Sequence, residues 1–69
     1  MNSSKDLAQE YKTILKQNGI TIVTVFDPTK DYIEINLMQY GDTLRGERNI
    51  DENLALIDLY DYLISIEFI

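Results

Sequence analysis

A chain of 69 residues with no cysteine and no histidine excludes a disulfide framework, a thiolate metal site, a redox thiol and the commonest general base. Stability must then come from packing or oligomerisation, and chemistry from other side chains. At 45% hydrophobic residues and a net charge of −6 the chain is too apolar for a disordered tail, and one small α+β domain spanning 1–69, with a thin core, is expected.

The first predicted element is a helix. Ser3 or Ser4 can accept a bond from an orphaned amide of the first turn. Leu7, Ala8, Tyr11, Ile14 and Leu15 recur at the spacing of one helical face. Asp6 and Glu10 come early and Lys12 and Lys16 late, the order the helix dipole favours. Asn18-Gly19 should end the helix, with Ile20 folding back on Leu15.

Ile20 to Phe26 is β-branched or aromatic at every position, the pattern of a strand covered at least partly on both faces. Asp27-Pro28-Thr29-Lys30-Asp31 reads as a turn. In the next strand Ile33, Ile35 and Leu37 alternate with Tyr32, Glu34, Asn36, Met38 and Tyr40, giving a core face and a mixed face. The two strands make an antiparallel hairpin. A loop of four or five residues fits, and the two choices put opposite faces of the first strand inward, so the register stays open. Gly41-Asp42 is a second turn, and Thr43-Leu44-Arg45 can begin a short third strand that Gly46 interrupts.

A second helix follows. Either Asn49 with Glu52 forms a capping box, or Asp51 caps while Ile50 staples against Ala55. Leu56, Leu59, Tyr60 and Leu63 form one apolar stripe and Leu54, Ile57 and Ile64 another. Asp58, Asp61 and Ser65 are left as a narrow polar strip, so the helix must be buried on more than one side. Residues 64–69 also alternate with period two, but no glycine or proline breaks the run, and helix to about residue 65 is preferred. The expected architecture is α-β-β-(β)-α with both helices packed on one face of a small sheet.

The charge is uneven along this order. Four lysines against three carboxylates give residues 1–30 a sum of +1, and two arginines against nine carboxylates give residues 31–69 a sum of −7. The second half should repel nucleic acid and anionic membranes and attract basic protein surfaces. The longest uncharged apolar-rich run is far short of a membrane span, and the polar segment Met1 to Asp6 has no signal-peptide pattern. A reducing cytoplasm is the expected setting.

No catalytic constellation stands out, and no cofactor or metal is expected. Asp58 and Asp61, three apart on a helix, could share a magnesium ion or a proton, yet a polar strip on an apolar helix needs such residues for solvation alone. Gly41 and Gly46 lie beside Asp42 and Glu47, whose charge opposes a phosphate. Arg45 and Arg48 could anchor a partner's carboxylates, although balancing Asp42, Glu47, Asp51 and Glu52 is the commoner role. Tyr32, Met38 and Tyr40 are interface-type residues if the helices cover the opposite face of the sheet, and core if a helix covers them.

Small size, acidity and missing catalytic residues are similar in kind, though not in sequence, to the small inhibitors and adaptors of phages and mobile elements. The leading expectation is an acidic protein-binding regulator, not an enzyme. It would act on a nucleic-acid-handling protein by presenting carboxylates as a DNA mimic does. Its candidate contact residues are Tyr32, Glu34, Met38, Tyr40, Asp42, Glu47, Asp51, Glu52, Asp58 and Asp61. The alternative is a structural or adaptor homo-oligomer assembled through residues 54–69.

Overall fold

The computed structural model describes residues 3–39 and 41–69. The first helix, α1 (Ser4–Gln17), begins where the Ser3 hydroxyl accepts the Asp6 amide at 3.3 Å. It ends at Gly19, whose φ of 72° suits a residue without Cβ. The Gly19 amide donates to the Lys16 carbonyl and the Ile20 amide to the Leu15 carbonyl, both at 3.0 Å, so two carbonyls of the last turn are satisfied.

Three antiparallel strands follow, β1 (Thr21–Phe26), β2 (Ile33–Gln39) and β3 (Asp42–Asn49), in the spatial order β1-β2-β3. The β1–β2 loop has six residues, 27–32, longer than the expected four or five. Asp27 organises it by accepting the Thr29 amide at 2.9 Å and the Thr29 hydroxyl at 2.7 Å. The resulting register pairs Thr21 with Met38 and Phe26 with Ile33. Directly paired residues share a face, so Ile22, Thr24 and Phe26 join Leu37, Ile35 and Ile33 on one side, and Thr21, Val23 and Val25 join Met38, Asn36 and Glu34 on the other.

Gly46 does not interrupt β3. The strand runs through it to Asn49, and an irregularity opposite Leu37 and Met38 leaves Leu44 as the extra residue. Gly46 is suited to the strand because a Cβ there would stand 2.6 Å from Asn36 Oδ1; the missing side chain leaves room for its neighbours on β2.

The last helix, α2 (Glu52–Ser65), is capped by Asp51, whose carboxylate accepts the amides of Asn53 at 2.8 Å and Leu54 at 3.1 Å. Asn49 instead accepts the Ile50 amide, and Ile50 is strongly exposed, so neither the capping box nor the staple against Ala55 forms. The helix stops at Ser65 as expected and closes as α1 does: Glu67 donates to Ile64 at 3.0 Å and Phe68 to Leu63 at 2.9 Å. Here a glutamate takes the left-handed conformation, at φ 57°, at a cost of about 1 kcal/mol relative to glycine.

Both helices lie on the Ile35–Leu37 side of the sheet. The core consists of Ala8 and Leu15 from α1, Ile35 and Leu37 from β2, and Ala55, Leu56, Leu59 and Leu63 from α2. Each fully buried leucine contributes roughly 1.5–3 kcal/mol. The Tyr11 and Tyr60 rings stack between the helices, centroids 3.7 Å apart and planes 8° from parallel. Burial there pushes the Tyr11 phenol above its ordinary range, and the charges of Asp61, Tyr60 and Glu10 push the same way.

β1 departs from its sequence pattern. Only Ile22 is half-buried; Val23 is 44% exposed, Val25 41% and Phe26 68%. The strand is the sheet's edge, with one face open and the other reached by the helices only near Ile22. No helix among the described residues is long and apolar enough to cross a membrane.

Candidate functional site: the open face of the sheet

The side of the sheet turned away from the helices is assembled by register. β1 contributes Thr21, Val23 and Val25, β2 contributes Glu34, Asn36 and Met38, and β3 contributes Thr43, Gly46 and Arg48. A ladder of polar contacts fixes its centre. Arg48 Nε donates to Glu34 Oε1 at 2.9 Å, and its guanidinium carbon lies 4.8 Å from the centroid of the Tyr32 ring. The bond to Glu34 raises the Arg48 pKa further, helped by Tyr32 and by the charge of Glu34, so the cation is permanent. Asn36 Nδ2 reaches Glu34 Oε2 at 3.5 Å, and the Thr43 hydroxyl donates to Met38 Sδ at 3.2 Å.

The β2 residues of this surface are half-buried by their neighbours and those of β1 and β3 are exposed, and among the described residues no second layer covers it. The Glu34 side chain is 25% exposed and Arg48 61%. The arginine therefore stands outward against the Tyr32 ring, with the exposed Val23 and Val25 on the far side of β2. Tyrosine, methionine and arginine are the types enriched where proteins meet.

Tyr32, Glu34 and Met38 come together here; the other candidate contact residues do not. Tyr40 lies outside the described residues. Glu47 points to the helix side, where Arg45 Nη2 meets its Oε1 at 2.6 Å and the guanidinium carbon lies 3.8 Å from the Tyr62 ring centroid. Asp42 opens β3 and Asp51 follows its far end, already engaged as the cap of α2. Asp58 accepts from Asn49 Nδ2 at 3.2 Å. Glu52 and Asp61 are exposed at the start and on the outer side of α2. The acidic residues are thus divided between opposite sides and ends of the molecule, and Glu34 and Glu47 are paired with the chain's two arginines.

Sequence reasoning passed over Val23, Val25, Asn36 and Gly46, and it gave Arg48 the wrong partner. Arg45 balances its near neighbour Glu47, as expected, but Arg48 pairs with Glu34, fourteen positions away. That pairing becomes readable only once the hairpin register is known.

A cavity of about 160 Å³ between the Asn18–Ile20 turn, Leu37, Leu44 and Phe68 is lined by no ionisable side chain, and a wider hollow of about 470 Å³ on α1 is lined by Lys12 and Lys16. No group of three or more carboxylates that could hold a metal gathers among the described residues. Comparison with protein-family models, curated proteins and solved structures finds no match.

Proposed function

We propose that this chain is a protein-binding regulator that meets its partner with the open face of its sheet. The observation that carries the reading is the uncovered set Val23, Val25, Tyr32, Met38 and Arg48. It is an apolar and aromatic surface with one outward cation already held in place, so little side-chain order remains to be lost on binding. An inhibitor of a nucleic-acid-handling protein is one form such a regulator takes. In that form the net negative charge speeds the encounter with a basic partner, and the sheet face supplies the residence time. The carboxylates support steering more than contact, because Glu34, Glu47, Asp51 and Asp58 are engaged within the chain.

The immobilised protein tests this in a native lysate. Y32A/M38A should lose the captured partner, each truncation weakening binding by roughly tenfold or more if the residue is an anchor. D58K/D61K should keep the partner and slow its association. The reverse result, capture surviving Y32A/M38A and failing with D58K/D61K, returns the contact to the acidic residues.

A further inference from the structure

We propose that β1 pairs antiparallel with β1 of a second copy across a two-fold axis, joining two three-stranded sheets into one of six. The inference is independent of the partner proposed above and rests on the edge of the sheet instead of its face. β1 is terminal in the strand order, so one row of its backbone amides and carbonyls has no strand to meet among the described residues. An unpaired row of that kind is a template for another strand unless charge, proline or a bulge blunts it. β1 has none of the three: Thr-Ile-Val-Thr-Val-Phe is uncharged, and its pairing with β2 is regular throughout.

Charge singles out a second copy as the occupant. A chain of net charge −6 repels its own kind across any acidic surface. Every other element carries ionised side chains, and β1 alone carries none. It also falls within the first thirty residues, whose charges sum to +1. Two copies meeting here place no like charges opposite one another along the strand.

The side chains fit as well. A two-fold axis normal to the sheet preserves its faces, so residues that meet must share a face. Centred on Thr24, the pairing sets Val23 against Val25 of the second copy on the open face, and Ile22 against Phe26 of the second copy on the helix face. Each apolar residue of β1 then meets an apolar residue, the favourable kind of cross-strand pair. Phe26, 68% exposed in the single chain, gains a neighbour. One chain leaves the edge of β1 open, and a second copy closes it and continues the sheet beyond it.

Sedimentation equilibrium of the full chain from micromolar to millimolar concentration tests the pairing, with circular dichroism confirming that each variant is folded. The wild type should show a monomer–dimer equilibrium. V23K/V25K sets like charges opposite each other twice and should weaken the dimer about tenfold or more. V23K/V25E sets opposite charges across the same two pairs and should restore it. A wild type that stays monomeric to millimolar concentration overturns the proposal, whether or not another protein captures β1. So does a dimer that V23K/V25K leaves unchanged, or one that V23K/V25E fails to restore.

Discussion

The two edges of this sheet are built to opposite specifications. β3 carries Asp42, Arg45, Glu47 and Arg48, a glycine and an irregular register, and α2 packs along it. β1 carries no charge, no glycine and no irregularity. Charged side chains and bulges are how natural sheets avoid pairing with strangers. Their presence on one edge and absence on the other teaches that exposure of an edge in a small domain is a choice made strand by strand. β3 is defended, and β1 is left available.

Three changes probe that contrast. The largest effect is expected from G46V, which drives new methyl groups into the space held by Asn36 and Glu34. It should lower stability by about 1–3 kcal/mol, read by denaturant unfolding, and loosen β3 before β1 in hydrogen exchange. If β3 amides stay as protected as before, Gly46 is not what lets the defended edge lie flat. A smaller effect is expected from R45T/E47T/R48T, which removes every charge of β3 but that of Asp42. Each lost exposed pair should cost about 1 kcal/mol or less, but light scattering should reveal new self-association. A chain no stickier than before would show that these three charges are not what protects that edge.

The smallest effect lies at the end of β1. The Thr29 hydroxyl, and then the Thr29 amide, hold the Asp27 carboxyl below its ordinary value. A carboxyl lowered by folding stabilises the native state fully above its unfolded value, and that contribution is lost as pH falls through the folded one. T29V should raise the Asp27 value towards the ordinary range in a carbon NMR titration and make the acid loss of stability shallower across that window. An unmoved titration would mean that the loop does not depend on the threonine hydroxyl.

Much of this fold is written locally. α1 is legible from Ser3 to Gly19 because cap, stripe and stop each leave a residue-level mark, and β2 because its alternation is clean. α2 is legible at its start through Asp51. Its stop is less so, because Glu67 occupies the left-handed position where a glycine would have announced the end. Burial of β1 was misread because a β-branched run reports affinity for covered surroundings, whereas covering depends on where α1 and α2 come to rest. β3 was cut short because a glycine in sequence looks like a break, and only the side chains across on β2 show why it is required. Tyr32 and Met38 could be set on one face from alternation alone. The acidic row could not be tested that way, since a sum of charges carries no direction.

The stacked rings of Tyr11 and Tyr60 have a practical corollary. The chain has no tryptophan, so its near-ultraviolet signal is tyrosine's, and two nearly parallel rings 3.7 Å apart couple their transitions. That coupling exists only while α1 rests on α2. The protein therefore contains a label-free optical gauge of helix docking, against which any ligand, salt or substitution can be followed as it happens.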